Sequence, residues 1–270
     1  MNLVDLRGYV PAIEAHLARA YRGRARTAPR GLVEPIGLMR EFTLRGGKRF
    51  RAQFVLAGYY LATGRPPTPA VPAAAAMEHF QSWMLIHDDV IDHSELRRGG
   101  PTLHRALERR HRARRREGDA VAIGQGLGIT LGDLEEPLTV SALLDSPVPK
   151  ERVLAAVREY ARMTALTAYG QVLDIDNGAR PLEELRESDV LLVHRLKSAV
   201  YTVASPLRIG AILGGGSPGL LAGLERFGLD AGIAFQLRDD VLGAGFGSSA
   251  IGKSANDLVE GKRTLLVVRA

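Results

Sequence analysis

The 270-residue sequence contains no cysteine, which rules out disulfides, thiolate nucleophiles and zinc–thiolate centres together. That absence fits a reducing compartment, and a cytoplasmic protein is the expectation. Long uncharged apolar runs are missing as well. The best candidate, residues 199–216, is interrupted by Arg208 and ends in glycines, so neither a membrane span nor stable membrane insertion is expected. The opening residues MNLVDLRGYV lack the basic start and apolar core of a secretory signal. Alternating patterns of the kind that make half-buried strands are scarce.

Helical periodicity is abundant. Leu3, Leu6, Val10, Ile13 and Leu17 follow a three-then-four spacing that lines one face of an opening helix. Residues 73–91, 152–173 and 221–242 read as long, mostly apolar helices. Glycine and proline gather at residues 63–67, 99–101, 146–149 and 214–218, spaced like helix–helix connections. With 46% hydrophobic residues the chain has material for a substantial core, and one all-α domain over residues 1–270 is the economical expectation.

The formal net charge is +6, with a sequence pI near 9.8, a balance suited to polyanionic or phosphorylated partners. Much of the excess lies in Arg109–Arg116, which reads as a solvated helix face or loop. No aromatic residue interleaves with these arginines as a stacking platform for bases, so no nucleic-acid partner is expected.

Two acidic clusters carry the chemistry. Asp88 and Asp92 are four residues apart and stack on one helical face, with Asp89 about 100° round. Three carboxylates this close repel one another unless cations sit between them. Hard oxygen ligands with room for water and phosphate suit Mg²⁺ better than zinc or copper. The run before them, Phe80–Ile86, is apolar and reads as buried. Arg97 and Arg98 follow in a Gly-Gly-Pro turn, where planar guanidinium groups suit a diphosphate. The second cluster is Gln236 with Asp239 and Asp240, again ending an apolar helix. Two such helices facing across a bundle would line a cavity with carboxylates. Residues 247–254 satisfy the phosphate-loop pattern GxxxxGK[ST], but an acidic helix and glycines precede them where a strand is required. Lys253 is better read as another phosphate-binding cation, joined by Lys262.

In order along the chain stand Gly46-Gly47-Lys48-Arg49-Phe50-Arg51, Asp88 to Asp92, Arg97-Arg98-Gly99, Gly132-Asp133, Gly170-Gln171, Lys197 to Tyr201, Phe235 to Asp240 and Gly252-Lys253. This ordered set resembles the trans-isoprenyl diphosphate synthases, the polyprenyl synthetase family. The resemblance implies a bundle of long helices around a central cavity, usually in a homodimer. It implies that Asp88, Asp92 and Asp239 hold Mg²⁺ against an allylic diphosphate, with Asp89 and Asp240 supporting. Arg97, Lys197 and Lys253 would clamp that diphosphate, beside Ser198, which stands where threonine is usual. Lys48, Arg51, Gln81 and Arg98 would hold isopentenyl diphosphate. The Gln236 side chain and carbonyls near Lys197 would stabilise an allylic cation. Met84, one turn before Asp88, and its neighbour Trp83 would floor the cavity and keep the product short, with twenty carbons ahead of fifteen. Two departures bear on this. Gly243 stands where relatives carry a third aspartate in the second motif, and the sequence stops at Ala270 where they continue through further helices. A class I terpene cyclase would lack the Lys48–Arg51 region. A non-catalytic subunit of a prenyltransferase is the reading to which Gly243 and the short tail would lend themselves.

Overall fold

The computed structural model describes residues 5–245 and 262–269, and it is helical wherever the apolar periodicity runs. Twelve α-helices occur among the described residues: α1 Val10–Thr27, α2 Val33–Leu44, α3 Phe50–Thr63, α4 Val71–Ile91, α5 Leu103–Ala113, α6 Ala120–Asp133, α7 Glu135–Leu144, α8 Lys150–Ala179, α9 Glu187–Val193, α10 Ser205–Gly214, α11 Pro218–Gly243 and α12 Leu265–Arg269. The three long apolar runs fall in α4, α8 and α11. The opening face is partly displaced. A short 3₁₀ turn occupies Leu6–Tyr9, and α1 begins at Val10 with Pro11 in its first turn, where a missing N–H costs nothing. Ile13 and Leu17 are buried as expected, joined by Tyr21. No described helix is long and apolar enough to cross a membrane.

Local chemistry explains several helix starts. The Asp119 carboxylate accepts from Val121 N (2.9 Å) to open α6, and the Ser217 hydroxyl accepts from Leu220 N (3.2 Å) ahead of Pro218 to open α11. The strands amount to one antiparallel hairpin, β1 Leu96–Arg97 with β2 Gly100–Pro101, paired Leu96 to Pro101 and Arg97 to Gly100. Arg98 and Gly99 form its two-residue turn with φ of 52° and 74°, the sign pattern of a type I′ turn.

The chain divides into two compact units, one of residues 1–56 and 66–153, the other of residues 57–65 and 154–270. In the first, α1, α2, α4, α5, α6 and α7 pack around Tyr21, Ile36, Met39, Phe42, Ile86, Leu103, Leu107, Leu131 and Leu138. Each such buried apolar side chain contributes about 1.5–3 kcal/mol. Two buried polar clusters tie this unit together. Arg49, 3% exposed, bonds Glu78 Oε2 (3.0 Å), Glu14 Oε1 (3.2 Å) and the Thr43 carbonyl (3.1 Å). Glu135, wholly buried, faces His79 Nδ1 (2.7 Å) and the Tyr21 hydroxyl, which also bonds Thr43 (2.7 Å). In the second unit, α11 packs along the segment His194–Ala204 and on α10 and α12. Glu159 accepts there from the Ser205 hydroxyl (2.8 Å), Arg208 Nη2 (3.0 Å) and Arg162 Nη2 (2.8 Å). It thereby ties α8 to the start of α10.

Candidate functional site

In the first unit the site is built from the end of α4, the loop between α2 and α3, and the hairpin. Asp92 caps α4, and its N–H bonds the Asp88 carbonyl (2.8 Å), so helical register persists to the cap and both carboxylates stay on one face. Asp88 is half-buried and Asp92 exposed. Asp89 turns the other way. It is wholly buried, and its Oδ1 accepts from Arg97 Nε (2.9 Å) and Nη2 (2.6 Å). Burial pushes the Asp89 carboxyl up to about 6 even with Arg97 beside it, and the charges of Asp88 and Asp92 push the same way.

The hairpin and the α2–α3 loop clasp each other. Arg45 Nη1 donates to the carbonyls of Pro101 (2.9 Å) and Arg97 (3.3 Å), and Arg98 Nη1 donates back to those of Gly46 (3.3 Å) and Arg45 (3.4 Å). This reciprocal contact brings Arg98 to the loop that carries Lys48 and leads into Arg51. Lys48 is exposed, with its Nζ 5.7 Å from the Phe50 ring centroid. Gln81 is 7% exposed, and its Oε1 has no hydrogen-bond partner among the described residues. Further along α4, Trp83 lies edge-on between Phe80 (5.9 Å) and His87 (6.2 Å), its neighbours at three and four residues' spacing. Met84 is half-buried. Asp133, at the end of α6, faces His87 Nε2 at 3.2 Å.

In the second unit the site centres on His194–Ala204, which winds as a π-helix. π-Helices are rare beyond a single turn and recur at functional sites. This one carries Lys197 and Ser198. Two glycines allow its neighbours to approach: a Cβ on Gly170 of α8 would lie 2.3 Å from Lys197 N, and one on Gly232 of α11 would lie 2.5 Å from Ala199 Cα. The Ser198 hydroxyl donates to Gln236 Oε1 (2.8 Å), and Gln236 Nε2 donates to Asp240 Oδ1 (2.8 Å). The other Asp240 oxygen lies 3.1 Å from His194 Nε2. Asp240 is thus buried, at 5% exposure, whereas its neighbour Asp239 is half-buried. Lys197 Nζ pairs with Asp174 Oδ2 (2.5 Å). Gly243 is buried in the last turn of α11. Lys253 and the glycine-rich segment around it lie outside the described residues, while Lys262 is exposed.

Sequence reasoning missed Arg45, Asp174 and His194. Arg45 is visible only through the hairpin that it braces. Asp174 and His194 carried a signal, since each stands three residues from a residue of interest, Gln171 and Lys197, on a helical segment.

Among the described residues no three His, Asp or Glu side chains gather into a self-sufficient cation site. The donors present are aligned carboxylates facing outward from a helix end. That set fits a hard divalent cation that completes its shell with water and substrate oxygens.

The chain is similar to known proteins in sequence and in fold. The crystal structure of geranylgeranyl pyrophosphate synthase from Corynebacterium glutamicum, complexed with isoprenyl diphosphate and magnesium, superposes with a TM-score of 0.89 at 35% identity, covering 98% of this chain and 76% of that one. A short chain isoprenyl diphosphate synthase of Methanothermobacter thermautotrophicus is 33% identical over 229 residues, 83% of this chain and 63% of the relative. A geranylgeranyl pyrophosphate synthase of Geoglobus acetivorans is 32% identical over 241 residues, 88% of this chain and 69% of the relative. The chain thus spans 63% of the length of the first of these two curated relatives. The polyprenyl synthetase profile matches residues 36–270, most of the sequence and both units, and on that match the chain belongs to the polyprenyl synthetase family.

Proposed function

We propose that the chain is an isoprenyl diphosphate synthase domain that condenses isopentenyl diphosphate with an allylic diphosphate to give a short product, of twenty carbons ahead of fifteen. The observation that carries this reading is the clasp in the first unit. It holds Arg98 and the Lys48–Arg51 loop together on the element that follows Asp88 and Asp92. Cations in excess of what one diphosphate requires suit a second diphosphate, and a second diphosphate suits a joining reaction rather than a cyclisation.

In this reading Asp88, Asp92 and Asp239 hold Mg²⁺, with Asp89 and Asp240 behind them. Mg²⁺ supplies charge neutralisation for a departing diphosphate. Lys197 and Arg97 add cationic charge to the same diphosphate, with Lys253 proposed for the same task. Asp174 and Asp89 orient Lys197 and Arg97 and are displaced or shared when the diphosphate arrives. Lys48, Arg51, Arg98 and Gln81 hold isopentenyl diphosphate, Gln81 through the N–H donors of its amide. Lys262 is assigned to the phosphate-binding periphery. The C–O bond of the allylic diphosphate breaks, and the electron pair leaves with oxygen. The Gln236 amide and the carbonyls around Lys197 face the resulting allylic cation with the negative ends of their dipoles. The double bond of isopentenyl diphosphate attacks, one carbon–carbon bond forms, and the proton lost goes to the released diphosphate. Apolar walls exclude the water that would quench the cation. Trp83, fixed by Phe80 and His87, is a rigid stop for the growing chain, with Met84 beside it. A homodimer working in the cytoplasm completes the reading.

The test is incubation with labelled isopentenyl diphosphate, each allylic starter in turn, and Mg²⁺, with product length read by chromatography. Expected are a twenty- or fifteen-carbon diphosphate and no turnover in a chelator or after Asp88→Ala. Absence of product with every starter would overturn the proposal.

A further inference from the structure

The arginine run at the end of α5 takes no part in the reaction proposed above, and the structure gathers it against the first turn of α2. Arg110 Nε (3.0 Å) and Arg114 both bond the Glu34 carboxylate, and the charge of Arg116 also acts on it. Glu108 is shared by Arg105 (2.7 Å) and Arg112 (2.9 Å). For Arg30, Arg115 and Arg116, all exposed, no acidic partner lies within ion-pair distance among the described residues. Arg30, Val33, Glu34 and Arg114 line one open groove. Beside these cations Leu32 and Val33 stand 44% and 45% exposed. Arg115 also holds a φ of +50°, just past the end of α5, where glycine or asparagine is the unstrained choice.

We propose that this face docks on an anionic membrane surface, with the arginines against lipid phosphates and Leu32 and Val33 entering the interface. The mixture of chemistries selects this partner. Cations alone would suit any polyanion, but two aliphatic side chains among them gain only where apolar matter adjoins the phosphates. Single-stranded nucleic acid would instead call for aromatic platforms, and residues 30–34 and 109–116 contain none. The arrangement is peripheral, since no described helix can span a bilayer.

The experiment is co-sedimentation of the full chain with vesicles of phosphatidylcholine, alone or mixed with phosphatidylglycerol, at low and high salt. It needs no turnover, so it is independent of the proposed reaction. The expected result is binding to the mixed vesicles alone, released by salt. Near such a surface each arginine is worth about five-fold in partition coefficient, so R30E/R115E/R116E, which removes three positive charges and adds three negative ones, lowers binding by at least about a hundredfold. L32S/V33S lowers it several-fold without changing its salt dependence. These positions are exposed, and unchanged circular dichroism confirms that the variants fold. Binding to both vesicle types alike, no binding, or binding that survives R30E/R115E/R116E would each overturn the proposal. Retention on duplex DNA without vesicle binding would overturn it too, and would assign the face to nucleic acid.

Discussion

Glu159 gathers two arginines and a hydroxyl inside the second unit, and Glu159→Gln measures what that cluster contributes. The carboxylate side chain is 4% exposed and receives Arg208, Arg162 and the Ser205 hydroxyl at 2.8–3.0 Å. Burial works against its ionised form, but the hydrogen bonds from Arg162 and Arg208 outweigh burial and hold its pKa below the ordinary 4.5. Removing one partner of a buried ion pair costs about 3–5 kcal/mol. Two features reduce that here. Arg208 keeps Glu225 Oε2 at 3.1 Å and the Leu221 carbonyl at 3.2 Å, and Arg162, 39% exposed, keeps Glu225 Oε1 at 3.1 Å. Glutamine also continues to accept from Ser205. A loss of about 2–3 kcal/mol at neutral pH is expected, roughly 4–12 °C in Tm.

The pH dependence makes the reasoning specific. A carboxyl whose folded pKa is depressed contributes stability that is present above its unfolded pKa and is lost as pH falls through the folded one. The gap between wild type and Glu159→Gln is therefore full near neutrality and narrows on acidification below the ordinary carboxylate range. Urea unfolding followed by circular dichroism, at neutral pH and at several acidic values, reads both quantities. Arg208→Gln completes a double-mutant cycle, in which the double variant costs less than the two singles together. A neutral-pH gap under about 0.5 kcal/mol, the ordinary range of surface changes, or a gap that stays constant on acidification, would refute the account.

Arg49→Met should destabilise the first unit by about 3–5 kcal/mol in urea unfolding, because Glu78 is left buried without its guanidinium partner; Arg49→Lys recovers only part of this, since an ammonium cannot reach both Glu78 and the Thr43 carbonyl. Trp83→Ala should lengthen the product in the elongation assay and also lower stability by about 3 kcal/mol, whereas Trp83→Phe restores most of the stability and part of the length limit. His194→Leu should lower kcat by about tenfold with little change in KM, because Asp240 loses the imidazole it faces and holds Gln236 less firmly; His194→Gln, which retains a donor, should restore most of the rate.

Periodicity made the helices legible because burial and helical spacing act on the same residues. The long runs at 73–91, 152–173 and 221–242 lie within α4, α8 and α11. α8 continues to Ala179 through Asp174, Asp176 and Asn177, where the apolar signal has faded but no glycine or proline pair yet stops the helix. The opening helix starts later than its apolar face because Pro11 favours a first turn and the 3₁₀ segment takes up the residues before it. Side-chain pairing was far less legible. Arg97 follows Asp89 by eight residues, and a helix alone would carry it away; the chain reverses after α4 at His93 (φ 52°), with Ser94 N on the Asp89 carbonyl (2.9 Å), and returns Arg97 to a carboxylate that helical geometry had already turned inward. The winding of His194–Ala204 was equally hidden. The close approach of its neighbours depends on glycines in two other helices, Gly170 and Gly232, which no local property of its own sequence announces.

The two acidic motifs share a division of labour that their sequences do not display. In each, adjacent aspartates point apart by about 100° because they are consecutive on a helix. One therefore enters the protein whenever the other faces out. Asp89 and Asp240 are the inward members, and each is buried against a partner of its own unit: Arg97 for the first, Gln236 and His194 for the second. A buried carboxylate without such partners would be costly, so the doublet is stable only where a cation or amide is provided behind it. The return is orientation. Asp89 fixes a guanidinium beside Asp88 and Asp92, and Asp240 fixes the Gln236 amide so that its oxygen meets Ser198. Replacing an inward aspartate should therefore disturb the group it orients, while replacing an outward one should disturb what binds from solvent. On this argument the absence of a carboxylate at Gly243 weighs less than loss of Asp239 or Asp240 would. Gly243 is buried in the final turn of α11, and the inward anchor and its outward neighbour stand one turn earlier.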